Sequence, residues 1–416
     1  MPQLQSVLGV AGILLIAWAF SENRRAIRAR PVIVGLALTL LLALLMLKVP
    51  PVRAVFVSAN TVVDAISDST RAGTSFVFGY VGGGPLPFEL KTPGAEYVLA
   101  LQALPIVLLM SVLTALLYYY RILPPIVRAF GWALERIMGV GGAVGLSTAA
   151  NIFLGMVESP LMIRPYLDSL SRSELFIVMT GGMAGIAGTV LVLYATILGP
   201  VMPDAAGHFI IASVLGAPAA ILISLIMVPE TTDRVTAGSL DDPEQIASSA
   251  MDAIVKGTTA GLELLLNIVA MLLVLVALVH LGNLMLGVLP HIGGQPITLE
   301  RMLGLVMAPV CWLMGVPWAE TATAGSLMGV KTILNEFLAY LQMAALPADA
   351  LSPRSREIML YAMCGFANFG SLGIMIAGLA TMAPRRRDDV VSLGMKSIVS
   401  GTLSTCLLGA VVGILS

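Results

Sequence analysis

The stretch NIFLGMVESPLMIRPYL, Asn151 to Leu167, decides the fold. Most of its positions are apolar, yet it carries Asn151, Glu158, Arg164 and two prolines, Pro160 and Pro165. A carboxylate in hydrocarbon is costly and persists where it faces a protein interior or a watery cavity. Non-helical backbone at membrane depth is likewise tolerated only when buried in protein. The region from about Val140 to Leu170 therefore predicts a re-entrant hairpin with Glu158 near its tip. A second interruption, KTILNEFLAYL (Lys331 to Leu341), breaks the apolar run from Val310 to Leu346 together with Pro317 and Glu320. It predicts a second hairpin carrying Glu336, and CGFANFGSLG, Cys364 to Gly373, follows it with a further cluster of polar and small residues.

Composition agrees with a membrane setting. Of 416 residues 58% are hydrophobic and 11% charged, with a mean hydropathy of +0.94, whereas an ordinary soluble domain is about a quarter charged. Apolar runs long enough to cross about 30 Å as helix recur along the chain, and alternating ten-residue strand patterns are absent, which excludes an outer-membrane barrel. The fold class is an all-α polytopic membrane protein. A net charge of −1, spread through the loops, gives no footprint for nucleic acid. Cys311, Cys364 and Cys406 stand apart in apolar sequence, so neither a disulfide framework nor a metal cluster is indicated. Gly139, Gly141 and Gly142 follow no strand and lack nucleotide-loop spacing, so close helix packing explains them better. No G-x-S-x-G, H-E-x-x-H or Cys/His grouping marks an enzyme.

Charge placement sets the topology. A first apolar run, about Leu4 to Phe20, is followed by ENRRAIRAR, the reverse of a signal peptide, and reads as a retained helix with its N-terminus outside. The next run, about Pro31 to Val49, returns outward. Pro50 to Pro93 reads as an interfacial amphipathic helix and a Gly/Pro-rich connection, neither of which spans. Tyr97 to Tyr120 runs inward to Arg121, and PPIVRAFGWALERIMG reads as an amphipathic helix on the cytoplasmic side. Leu175 to Leu198 and Phe209 to Val228 span, and a polar loop with Arg234 and Lys256 lies inside. Leu262 to Leu286, Ile358 to Met382 and Val390 to Leu415 complete eight spans around two hairpins. Every strong arginine cluster then falls on one side, and both termini lie outside.

The two halves are weakly self-similar. SRSELFIVMTGGMAGIAG (Ser171 to Gly188) and SREIMLYAMCGFANFGS (Ser355 to Ser371) both place Gly eight residues after Glu, as Glu174 with Gly182 and Glu357 with Gly365. Each follows an interrupted hairpin and precedes one further span, and the two hairpins enter from opposite sides. That is the pattern of an inverted-repeat transporter, whose glycine-rich spans unwind near the midplane.

Two readings stand for each singled-out residue. Glu158 and Glu336 serve a ligand site, or pair with Arg164 or Lys331 for structure alone. Asn368 and Ser371, one turn apart beside Phe366, bind hydroxyl groups or join helices. Asn151 ligates a cation or caps a half-helix. Glu263, Asn267 and Glu320 are expected in packing or behind the ligand-contacting residues, and His208, His280 and His291 at interfaces. An ion channel would keep such residues without alternating access, and an intramembrane enzyme would convert its ligand.

FLGMVESPLMIRPYL, MVPETT, GVPWAE with AGSLMGVKTILNEFLAYL, and CGFANFGSLGIMIAGLA together resemble the concentrative nucleoside transporter family, in order from about Tyr97 to the C-terminus. The resemblance implies a homotrimer in the bacterial inner membrane, each protomer with an outer scaffold and a mobile transport domain that moves like an elevator. On this division residues 1–96 and 97–139 belong to the scaffold, 140–229 form the first repeat, 230–297 a cytoplasmic loop and long scaffold helix, and 298–416 the second repeat. The resemblance also implies nucleoside import as a symporter driven by a sodium gradient, the alternatives being proton coupling or another small polar solute. Carried over by position, Gly155, Met156, Val157, Glu158 and Val190 meet the base, and Glu336, Asn368 and Ser371 hold the ribose with Phe366 nearby. A carboxylate can accept from two vicinal hydroxyls, which suits a ribose. The sodium ion falls on Asn151, Leu154, Gly185 and Ile186, largely through backbone carbonyls. Two departures stand out. Met156 and Val157 replace the Gln and Thr of better-known nucleoside carriers, and Gly185 replaces a serine of sodium-coupled members.

Overall fold

In the computed structural model, which describes residues 2–90, 96–232, 247–291, 294 and 296–416, all regular structure among the described residues is helical. Pro93, which closed the expected Gly/Pro-rich connection, and Arg234 of the polar loop lie outside the described residues. The N-terminal third comprises α1 (Pro2–Ala19), α2 (Ala29–Lys48), α3 (Pro50–Phe78), the short α4 (Leu99–Gln102), α5 (Ile106–Tyr119) and the amphipathic α6 (Leu123–Met138). The first hairpin follows as α7 (Gly142–Ala150) and α8 (Glu158–Leu161), then α9 (Arg172–Ala184), α10 (Gly188–Leu198), α11 (Ala205–Met227) and α12 (Ala250–Leu286). The chain ends with α13 (Leu299–Met314), the second hairpin α14 (Thr321–Ile333) and α15 (Glu336–Ala345), then α16 (Pro353–Met363), α17 (Phe369–Met382) and α18 (Arg387–Leu415).

Among the described residues six helical segments are long and apolar enough to cross a membrane, and the shorter apolar helices Gln3–Ala19 and Phe369–Met382 complete the runs read from the sequence. A boundary differs at the second hairpin. The second hairpin, expected from Val310, begins only at Thr321, because α13 is a separate helix closed by Gly315 at φ 108°. The apolar content of α13 merges with the hairpin in sequence, and only the left-handed glycine separates them.

Both glycine-rich spans are interrupted, as their sequences predict. Helix α9 starts with a capping box, Ser171 accepting from the Glu174 N–H at 3.0 Å while Glu174 accepts from the Ser171 N–H at 2.9 Å. It stops at Gly185, whose backbone is extended, and α10 resumes at Gly188. In the second repeat the break runs from Cys364 to Asn368, between α16 and α17. The breaks cross, and the Phe366 N–H donates to the Gly185 carbonyl at 3.2 Å. Backbone groups freed by unwinding are thus partly satisfied by the other repeat.

Helices α9, α10, α11 and α18 are largely buried, whereas few residues of α12 are buried. Helix α5 packs along α12, α13 along α14, and α1 and α2 against α18 and α11. Polar networks lie at the two ends of this core. At one end Glu22, between α1 and α2, accepts from Arg172 at 2.9 and 3.1 Å and from Lys396, and Arg386 pairs with Asp389 at 2.8 Å. At the other, His208 lies 3.0 Å from the Tyr361 hydroxyl, Ser416 donates to Glu357 at 3.0 Å, and Arg354 bonds the Gly413 carbonyl at 2.6 Å. Helix α11 joins the two ends, since the Glu22 N–H bonds the Met227 carbonyl at 2.8 Å and His208 sits in its first turn. Span ends therefore sort as the alternating topology requires.

Candidate functional site

The hairpin tips and helix breaks converge on a cavity of about 200 Å³. Gly155, Met156, Val157 and Glu158 reach it from the first hairpin and Val190 from α10. Glu336 reaches it from the second hairpin, and Phe366, Asn368 and Ser371 from the second helix break. Residues more than two hundred positions apart in sequence are thus brought to one wall-to-wall space. The opposite wall is α12, through Leu264, Ile268, Met271 and Leu275. Asn267 of α12, expected in packing or behind the ligand-contacting residues, also lines the cavity, as do Thr189 and Asn335.

Short capping motifs set the polar side chains. Asn335 is the N-cap of α15, its Oδ1 accepting from the Leu338 N–H at 2.9 Å, which places Glu336 at the first helical position. Asn368 caps α17 in the same way, accepting from the Ser371 N–H at 2.7 Å. Its Nδ2 then donates to Glu336 Oε2 at 3.1 Å. Asn368 and Ser371 are therefore joined through a cap and do not sit side by side on one continuous helix face.

The sequence reading missed Tyr194. Its hydroxyl donates to Glu336 Oε1 at 2.6 Å, tying α10 of the first repeat to the hairpin of the second. Its ring lies 5.2 Å from that of Tyr340 and 6.0 Å from that of Phe209. A lone tyrosine in the apolar helix GTVLVLYATIL was the available signal, because a buried phenol needs a partner for its hydroxyl. Glu336 and Asn368 are only 3% and 1% exposed and both line the cavity, and the buried carboxylate is met by the side-chain donors of Tyr194 and Asn368.

Neither structural pairing expected for the carboxylates is present among the described residues. Lys331, fully buried, donates instead to the Thr405 hydroxyl at 3.2 Å and the Ala362 carbonyl at 3.4 Å. Arg164 is exposed. Glu320 accepts from the Ser352 N–H at 3.1 Å at the start of α16, a structural role as expected.

The residues expected around a cation lie together at the first helix break. Asn151 ends α7, donating from Nδ2 to the Gly181 carbonyl at 2.6 Å, and the Ser159 hydroxyl lies 3.4 Å from its Oδ1. The carbonyls of Leu154 and Ile186 accept no hydrogen bond among the described residues. Gly185 fits this crowding, since a Cβ there would stand 2.3 Å from Asn151 Nδ2. Among the described residues no group of three or more His, Cys, Asp or Glu could hold a metal.

Comparison with known proteins agrees with this architecture. Family models described as Na+ dependent nucleoside transporter C-terminus, Na+ dependent nucleoside transporter N-terminus and Nucleoside recognition match residues 208–413, 8–81 and 100–201. Over 413 residues the chain is 38% identical to the uncharacterized transporter YutK of Bacillus subtilis, covering 99% of this chain and 98% of YutK. It is 34% identical over 417 residues to the nucleoside permease NupC of Helicobacter pylori, covering 99% and 97%. The structure of CNTnw in an inward-facing substrate-bound state matches with a TM-score of 0.90 at 35% identity, covering 100% of this chain and 98% of that one. The chain belongs to the concentrative nucleoside transporter family. It is a helical membrane protein of a transporter family and not an enzyme, and the likeness extends into the N-terminal region, upstream of Tyr97.

Proposed function

We propose that this protein is a symporter that imports nucleosides across the bacterial inner membrane on a sodium gradient. The observation that carries the reading is the Glu336–Asn368 pair, buried yet open to a cavity between two hairpin tips, in a chain of this family. Glu336, Asn368 and Ser371 take the ribose hydroxyls beside Phe366, while Gly155 to Glu158 and Val190 receive the base. A sugar lacking those hydroxyls leaves buried polar groups unpaired, which is how such a site discriminates.

The unbonded carbonyls of Leu154 and Ile186, with Asn151 and the extended backbone at Gly185, support a sodium site made of oxygens at an unwound helix. Proton coupling is the second reading, favoured by the absence of a hydroxyl at Gly185. The two repeats form the moving body against a frame centred on α5 and α12. The exposed apolar residues of α12, such as Leu266 and Leu273, suit lipid or a neighbouring protomer of a trimer. The arginine clusters support a reading with the Glu22 end in the cytoplasm and both termini outside.

Equilibrium binding to the purified protein tests the site. Uridine should bind about tenfold or more tighter than 3′-deoxyuridine, and Glu336→Gln should remove most of that difference. Equal affinity for the two ligands in the unaltered protein would take the ribose away from Glu336.

A further inference from the structure

The polar groups of the cavity are unequally committed. At the second hairpin Glu336 is held by Tyr194 and Asn368, and Asn368 by the Ser371 N–H. At the first hairpin Glu158 is exposed and lines the cavity, and its carboxylate has no hydrogen-bond or ion-pair partner among the described residues. The side chain folds back over the bare backbone of Gly155, where a Cβ would lie 2.2 Å from Glu158 Oε2. Met156 and Val157, between them in sequence, and Val190 across the cavity bring no polar side-chain atom. On the first hairpin Glu158 is therefore the one polar side chain among the four residues that line the cavity, with Thr189 and Asn267 contributing polar groups from α10 and α12.

We infer that Glu158 makes the protein selective for guanine nucleosides, an inference that rests on the nucleoside reading above and names its substrate more closely. A carboxylate is acceptor-only, and its two oxygens suit a pair of parallel N–H donors. Guanine alone among the common bases offers such a pair on one edge, the ring N1–H beside the exocyclic amino group. Hypoxanthine keeps the N1–H but lacks the amino group. Uracil offers one N3–H flanked by two carbonyl oxygens, which a carboxylate repels. In adenine and cytosine the amino group sits beside an unprotonated ring nitrogen, again an acceptor. With Met156 and Val157 in place of amide and hydroxyl side chains, nothing beside Glu158 in sequence donates to those carbonyls and ring nitrogens. A wrong base leaves an acceptor facing an acceptor, and a site built on hydrogen bonds rejects such ligands strongly.

The test is competition by unlabelled guanosine, inosine, adenosine, uridine and 1-methylguanosine against radiolabelled guanosine binding to the purified full-length protein, with direct binding of radiolabelled uridine in parallel. Guanosine should compete about tenfold or more better than the other four, as a two-donor contact does over a one-donor contact. 1-Methylguanosine differs only at N1–H, so it probes the contact in the unaltered chain whether or not a variant folds. Glu158→Gln, which replaces one acceptor by a donor, should abolish the guanosine preference and bring inosine level with it or ahead. Uridine or adenosine binding as tightly as guanosine, or undiminished competition by 1-methylguanosine, would overturn the role of Glu158 and leave nucleoside binding standing. Binding of neither radiolabelled nucleoside by folded protein would overturn the nucleoside reading itself.

Discussion

Glu336 shows how few residues organise the site. Its carboxylate is fixed between a tyrosine from one repeat and an asparagine that caps a helix of the other. Tyr194→Phe removes one donor to a buried carboxylate, a bond of about 1.5–3 kcal/mol for a charged acceptor. Uptake efficiency for ribonucleosides should fall about tenfold or more, and discrimination against 3′-deoxynucleosides should shrink, measured as KM and Vmax for each. A uniform loss for both sugars would mean that Tyr194 only supports packing. Gly185→Ser is expected to destabilise the protein, because the new Cβ would stand 2.3 Å from Asn151 Nδ2. Overpacking of this kind costs about 1–3 kcal/mol, readable as a lowered thermal unfolding midpoint. A serine at this position therefore requires a different Asn151 position. Glu336 and Asn368 were legible in the sequence because polar groups in apolar runs are expensive. Tyr194 was not, since an aromatic in a hydrophobic helix looks like core until its hydroxyl partner is seen.

At the scale of elements, the glycine-rich interruptions of both spans were readable from Gly181 to Gly188 and Cys364 to Gly370. Their crossing was not, because the Phe366 to Gly185 bond joins residues far apart in sequence. Likewise α13 could not be told from the second hairpin, because its 16 residues merge with the apolar run that follows. The connection between α1 and α2 is tied to α9 and α18 by Glu22, whose carboxyl is pulled from 4.5 to about 2, chiefly by the hydrogen bonds from Arg172, with Lys396 adding to the effect. A folded-state value below the unfolded one stabilises the protein above about pH 4.5, and this contribution is lost as pH falls toward 2. Glu22→Gln should lower the unfolding midpoint near neutral pH. The difference from the unaltered protein should narrow between those two pH values, as followed by thermal unfolding in detergent.

For the whole molecule, α9, α10, α11, α16 and α18 share the buried core, while α5 and α12 pair at its edge, and we propose that the repeats move against that edge. If the exposed face of α12 meets other protomers, Leu273→Cys should form crosslinked dimers in membranes under mild oxidation. Leu15→Cys, on the exposed side of α1, should give none. Dimers from both positions or from neither would remove α12 from the subunit interface. The central claim, nucleoside movement coupled to sodium, is tested most directly by uptake of radiolabelled nucleosides into proteoliposomes under an inward sodium gradient, an inward proton gradient or neither. The account predicts accumulation that requires the sodium gradient and is lost in Glu336→Gln. Accumulation driven by protons alone, or none from demonstrably folded protein under any gradient, would contradict it.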